Sequence, residues 1–492
     1  MSAQTVDGAK ASQPRALPAL AVDLDRTLLK TDLLAECAAQ GLASRPVSTL
    51  LALAALFGPG GRAALKARLA EIASPDPATL PYEAAVIAEI DRARAAGREV
   101  ALVSASDARL VRGVADHLGR FDMAIGSQDG RNLKGTAKAE ALVARYGRGG
   151  FDYLGDARAD LAVWSQAHEA VTVGARARLR QAVEAAAPSV RHIAPPPTGF
   201  AAFAPYLRAM RPHQWLKNAL VLLPPAAAHA TDFALWAAAI LAAVAFSLAA
   251  SAVYLLNDLL DLAADRAHPR KRDRPFAAGS ADLLWGAALG GALALLAAVL
   301  AAMLPAGFAL TLAIYGAMTV AYSMYLKRRL MIDIVTLAGL YTLRVLAGGM
   351  ATGVVLSPWL FGFSGFLFLA LAAVKRQAEL VDAAKAGRSG ATGRAWRAED
   401  AAIAAMIALS AGQASLVVLA IYITGADVQK LYAAPQILWA VCPVLIYWLG
   451  RMVLLAHRGQ MHDDPLAFAV RDPTSLACAG AIGAIGLAAS VG

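Results

Sequence analysis

Nine long apolar runs fill the later part of the chain, at 219–230, 233–256, 283–304, 306–325, 334–353, 359–374, 401–424, 437–455 and 476–491. Most approach the roughly 20 residues that carry a helix across a bilayer, so the pattern predicts an all-α polytopic membrane domain of nine transmembrane helices. Pro224 and Pro225 interrupt the first and shortest run. Up to about Ile193 the pattern differs: short apolar stretches (20–24, 100–103, 153–154) alternate with charged, Ala-rich helical segments, which predicts a water-facing α/β domain. The stretch Ala194-Pro195-Pro196-Pro197-Thr198-Gly199 suits a stiff connection. The expected organisation is a soluble domain over 1–193, a Pro-rich linker over 194–204 and a membrane domain over 205–492.

Composition sharpens this picture. Of 492 residues, 58% are hydrophobic and 17% charged, and a mean hydropathy of +0.51 excludes a disordered chain and argues against a purely cytosolic one. Cys37, Cys442 and Cys478 have no paired spacing, so neither a disulfide framework nor a thiolate metal site is on offer. The net charge of +10 could serve nucleic acid, but its placement points to a membrane. Sixteen Lys and Arg residues between Arg266 and Arg471 fall on one set of connections between apolar runs, against Lys430 alone on the other. The positive-inside rule then puts the soluble domain in the cytoplasm, the spans in the inner membrane and, with nine crossings, the C-terminus outside. Residues 1–14 lack the basic start and apolar core of a secretory signal. Membrane lipid is an expected partner and nucleic acid is not; a homo-oligomer stays open.

Candidate chemistry in the soluble part gathers at strand ends. Val22-Asp23-Leu24-Asp25-Arg26-Thr27 closes one strand with two carboxylates, which need a cation or a shared proton at close range. Ala101-Leu102-Val103-Ser104 ends in a hydroxyl, Lys138 opens a helix, and Leu154-Gly155-Asp156 with Asp160 ends a further strand. This order of motifs resembles the haloacid dehalogenase-like phosphatase superfamily. The resemblance implies a Rossmann-like α/β fold with a helical cap between Leu28 and Gly97. It implies Asp23 as nucleophile, Asp25 as general acid/base, Ser104 as phosphate donor and Lys138 as charge neutraliser. Mg²⁺ would be held by Asp23, Asp25, Asp156 and Asp160. Ser106 competes with Ser104, Lys134 with Lys138, and Arg26 stands where many members carry Gly.

In the membrane part, Asn257, Asp258, Asp261 and Asp265 close the second run. On a helix, Asn257, Asp261 and Asp265 share one face, with Asp258 about 100° round. A basic stretch from Arg266 to Arg274 follows. Acids beside bases describe a metal-bridged diphosphate pocket. The motif resembles the first aspartate-rich signature of UbiA-type intramembrane transferases. Arg211–Asn218, Tyr322 with Lys327, Asp333, Arg344 and 464–469 resemble the decaprenyl-phosphate phosphoribosyltransferase branch. The resemblance implies that Asn257, Asp258, Asp261 and Asp265 are catalytic and hold Mg²⁺. Lys217, Arg270, Arg272, Arg274 and Lys327 are candidates for binding the donor's phosphates, and each could equally anchor lipid headgroups. Tyr322, Asp333 and Arg344 complete the candidate substrate site. Arg344 lies about 16 Å along a helix from Asp333, where it needs a carboxylate or phosphate partner.

The implied activity is transfer of 5-phosphoribose from phosphoribosyl diphosphate to a polyprenyl phosphate. The phosphatase-like domain would then remove the 5-phosphate. The rivals are an aromatic prenyltransferase using an isoprenyl diphosphate, and a lipid-phosphate transporter or scaffold.

Overall fold

The computed structural model describes residues 17–54, 61–128, 132–269, 271–390, 394–461 and 464–491. The chain packs as two compact units, one of residues 1–209 with 258–287, the other of 210–257 with 288–492.

The first unit is built on strands β1 (Ala19–Val22), β2 (Val100–Asp107), β3 (Met123–Ser127), β4 (Phe151–Gly155), β5 (Ala170–Val173) and β6 (Val190–Ile193). They form one parallel sheet in the order β3-β2-β1-β4-β5-β6. Leu20 and Val22 pack with Leu102 and Val173 on one face, and Ala19 and Ala21 with Val103 and Trp164 on the other. Burial on both faces is why these strands read as apolar runs and not as alternation. From β1 the chain proceeds to β2 and β3 on one side and returns to β4 on the other, which opens a crevice at the carboxyl ends of β1 and β4. Between β1 and helix α4 (Ala84–Ala95) lie α1 (Leu33–Ser44), α2 (Pro46–Ala54) and α3 (Gly61–Ile72). Helices α5 (Ala108–Leu118), α6 (Thr136–Tyr146) and α7 (Ala177–Ala186) connect the later strands.

The bundle has eight helices long and apolar enough to cross a membrane among the described residues, one fewer than the pattern predicts. These include α8 (Phe233–Leu260), then, after the short α9 (Leu262–Ala267), α10 (Leu283–Ala302), α11 (Ala306–Met324), α12 (Ile332–Thr352), α13 (Pro358–Lys385) and α14 (Ala401–Ile423). The last two are formed around α15 (Val441–His457) and α16 (Pro473–Val491). The run at 219–230 is instead a 3-10 segment, Pro212–Leu222, followed by the five-residue helix Leu223–Ala227. Pro224 and Pro225 supply no backbone N–H, so their place is a helix start.

The 3-10 segment lies directly on α12. A Cβ added at Gly348 would come within 2.1 Å of the Val221 carbonyl oxygen, a backbone atom that cannot move aside alone. Gly348→Ala is therefore predicted to destabilise the bundle by about 1–3 kcal/mol or more, seen as a lower melting temperature of the detergent-solubilised protein.

Candidate functional site

Asp23, Asp156 and Asp160 come together at the β1/β4 crevice, each offering an oxygen within 4.8 Å of the others. Lys138, near the start of α6, places its Nζ 2.9 Å from Asp23 Oδ1 and 3.5 Å from Asp160 Oδ1. Lys134 is exposed. Tyr153, missed because a β4 position inside an apolar run reads as core, accepts from Lys138 Nζ at 2.8 Å and donates to Asp160 at 3.0 Å. Burial, with Asp160 and Asp25 adding repulsion and Lys138 opposing, pushes Asp23 up to about 7. Burial and the Asp23 and Asp160 carboxylates push Asp156 up to about 8. Three hard oxygen donors that repel one another suit Mg²⁺.

Asp25 does not join this group as a metal ligand. Arg26 takes a left-handed conformation, φ +57, and the turn sends Asp25 to other partners. Its Oδ1 accepts from the Leu33 N–H at 2.8 Å, and its Oδ2 accepts from the Ser104 and Ser106 hydroxyls at 3.1 and 2.6 Å. Ser104 also accepts from the Ser106 N–H at 3.0 Å. Both serines thus orient Asp25. Lys66 on α3 donates to the Ala105 carbonyl at 2.7 Å, which ties the inserted helices to the end of β2.

The bundle encloses a cavity of about 300 Å³ whose lining includes Arg211, Lys217, Arg344, Lys375 and Arg394 against one acid, Asp464. Asp464 Oδ2 accepts from Lys217 at 2.8 Å and Lys375 at 3.1 Å. Burial works to raise Asp464, but the Lys375 and Lys217 ammonium groups hold it well below the usual carboxylate range. Arg344 is 5% exposed. Its Nε donates to Asn218 Oδ1 at 2.9 Å, its Nη1 to the Leu340 carbonyl at 2.5 Å and its Nη2 to the Tyr315 hydroxyl at 2.9 Å. These three partners are uncharged: of the carboxylate or phosphate expected beside Arg344, an amide, a carbonyl and a phenol stand in the carboxylate's place. Tyr322 and Asn257 also line the cavity, and Tyr322 accepts from Arg394 at 2.7 Å.

Several other expectations are corrected. Asp333 does not line the cavity: it is fully buried, 2.9 Å from Arg376 Nη2, and accepts from Trp396 Nε1 at 2.9 Å. The four polar groups of the acid motif do not converge. Helix α8 ends at Leu260 and α9 begins at Leu262, which breaks the shared face at Asp261. Asp258 and Asp265, seven residues or nearly two turns apart, instead accept from Arg274 Nη1 at 3.2 and 2.7 Å. Among the described residues these acids form no group of three oxygens within 4.8 Å, and Arg274 neutralises the Asp258 and Asp265 pair. Arg272 is exposed and Lys327 lies outside the cavity lining. Arg270 lies outside the described residues. Arg211, Lys375 and Arg394 were missed as cavity residues. Arg211 sits at the start of the quoted Arg211–Asn218 block, but the other two read only as cations of a basic connection.

A parallel α/β unit with a carboxylate crevice and an apolar helical bundle around a cationic cavity define a multi-pass membrane protein. The UbiA prenyltransferase family model matches residues 219–470, and the chain belongs to the UbiA prenyltransferase family. It is 37% identical over 465 residues to the uncharacterized protein y4nM of Sinorhizobium fredii, covering 94% of this chain and 89% of that relative. It is 42% identical over 179 residues to the decaprenyl-phosphate phosphoribosyltransferase of Mycolicibacterium smegmatis, covering 35% of this chain and 56% of that one. A solved structure of a substrate-bound phosphoserine phosphatase, 18% identical with a TM-score of 0.27, covers 36% of this chain and 94% of that one.

The raised carboxyls of the crevice carry a linkage consequence. The folded unit keeps protons that the unfolded chain releases above about pH 4, so without a cation stability falls as pH rises toward 8. In EDTA the melting temperature is expected to drop by several degrees between about pH 5 and about pH 8. Mg²⁺ should restore it, and Asp156→Asn should flatten both dependences.

Proposed function

We propose that the membrane unit transfers 5-phosphoribose from phosphoribosyl diphosphate to a polyprenyl phosphate, and that the first unit hydrolyses the 5-phosphate of the lipid product. The observation that carries the transfer step is the cavity with five cationic lining residues, of which Arg394 meets Glu379 at 3.4 Å while Lys217 and Lys375 share the one lining carboxylate; this excess of positive charge suits a donor and an acceptor both bearing phosphate. The 42% identity to a decaprenyl-phosphate phosphoribosyltransferase supports the same substrates. The acceptor phosphate is ionised at neutral pH, so the cavity need supply no general base. Its residues would position donor and acceptor and stabilise charge as the ribose carbon becomes cationic. Arg344, its planar guanidinium held by Asn218, Leu340 and Tyr315, would lend uncancelled positive charge to the phosphates. Asn257 lines the same cavity, and the acids that follow it in sequence, Asp258, Asp261 and Asp265, serve the transfer step on this reading.

In the first unit Asp23 takes the phosphoryl group and Asp25, oriented by Ser104 and Ser106, acts as acid and then base. Asp23, Asp156 and Asp160 would hold Mg²⁺, which when bound offsets the repulsion between carboxylate and phosphate. The basic connections orient the chain in the inner membrane with residues 1–193 cytoplasmic. Helix α8 then runs toward the cytoplasm, so residues 212–227 complete the first crossing and the C-terminus ends outside.

The test incubates the purified full chain with phosphoribosyl diphosphate and decaprenyl phosphate and weighs the lipid product by mass spectrometry. Wild type should give ribosyl lipid, and Asp23→Asn should accumulate the 5-phosphorylated form. Retention of the 5-phosphate in both would remove the hydrolytic step, and product from an isoprenyl diphosphate alone would replace the donor. Arg344→Lys, which loses the planar fork, is expected to slow transfer by about 100-fold or more.

A further inference from the structure

Residues 258–287 carry the three acids of the motif and pack with the N-terminal unit, and that attachment is specific. Arg266 on α9 donates through Nη1 and Nη2 to Glu36 Oε2 and Oε1 at 2.9 and 2.7 Å. Its Nε donates to the Ala277 carbonyl at 3.0 Å. The two side chains are 5% and 2% exposed. One guanidinium therefore ties together α9, the returning end of the segment and α1, with all three of its nitrogens engaged. Next to it in the chain, Asp265 shares Arg274 with Asp258.

The same segment is held at two more points. Arg26 Nη2 meets Asp282 at 2.7 Å, and a Cβ at Gly279, where φ is +68, would lie 2.8 Å from Lys30 Cβ. Glu36 itself is locked into α1. Its N–H donates to the Asp32 carbonyl at 3.0 Å, and Leu33, three residues earlier, donates to Asp25. Glu36 is not among the carboxylates gathered at the crevice.

We propose that Glu36 is a positioning residue for the transferase: through Arg266 it fixes the helix that carries Asp265, so the phosphatase-like unit holds the acid motif in place. The functional part rests on the reading that this motif serves the transfer step. The physical reason is that a buried guanidinium stripped of its bidentate partner has to move toward water, and α9 moves with it.

The test uses the detergent-solubilised full chain and three readouts: hydrogen exchange over 262–269, kinetics of phosphoribosyl transfer, and hydrolysis of p-nitrophenyl phosphate. Glu36→Gln should speed exchange over 262–269 and raise KM for phosphoribosyl diphosphate, each by about ten-fold, with p-nitrophenyl phosphate hydrolysis within about two-fold of wild type. Adding Arg266→Gln to Glu36→Gln should change little further, because both act through one contact. Wild-type exchange and wild-type KM in Glu36→Gln would overturn the proposal, as would effects of the two substitutions that multiply. If Glu36→Gln does not accumulate, Glu36→Asp decides: its shortened carboxylate predicts faster exchange over 262–269, and wild-type exchange there sinks the idea. A wild-type protein that makes no ribosyl lipid would defeat the proposed activity alone, while the exchange measurement still judges the positioning.

Discussion

Positive charge kept inside apolar packing with too few carboxylates to match it is the constraint on which the membrane unit depends. A buried guanidinium is tolerated only when its donors are satisfied, and Arg344 meets that condition with Asn218, Leu340 and Tyr315. Asn218 is itself fixed, since its Nδ2 donates to Ser247 at 3.0 Å. Neutral partners satisfy geometry without cancelling charge. Lys217 and Lys375 reach the same outcome by sharing Asp464. A one-to-one pairing would have left the cavity neutral and indifferent to anions.

The contrast with Asp333 makes the point from the other side. Asp333 and Arg376 are both fully buried and oppose each other at 2.9 Å, with Trp396 closing the pair. Arg376 also meets Glu379, which lies 3.4 Å from Arg394 Nε, so two acids and two guanidinium groups fix the loop bearing Arg394 to the bundle. Lys375 and Arg376 are neighbours in sequence, yet one enters the cavity and the other the pair, because consecutive residues on a helix point about 100° apart.

Much of this was legible in the sequence where one physical effect dominates. Long apolar runs can hardly be other than buried or membrane-spanning helices, and eight of them are. The run at 219–230 is a 3-10 segment and a five-residue helix in place of one long helix, an interruption that Pro224 and Pro225 already marked in the sequence. The strand-end motifs were readable since polar residues after a buried strand have few other reasons to be there. Choosing Lys138 over Lys134 needed the phase of α6 against Asp23. The acid motif misled because four-residue spacing was extended through Asp261 as if the helix were unbroken. Once it breaks, the seven-residue pair Asp258 and Asp265 finds a common guanidinium, a partner already present in the basic run but assigned there to substrate phosphate.

The two centres have opposite electrostatic needs, and this bears on why one chain would contain both. The crevice gathers carboxylates around the single ammonium of Lys138; the cavity gathers cations around the single lining carboxylate of Asp464. A nucleophilic carboxylate could not work in the cavity, where Asp464 shows its fate: held by two ammonium groups, it is spent on charge pairing. Nor could the crevice retain a diphosphate donor without first recruiting a metal. On the proposed reading, transfer of a phosphosugar and removal of its phosphate therefore demand separate surroundings. The phosphomonoester left by the first reaction is the kind of group the second surroundings can attack.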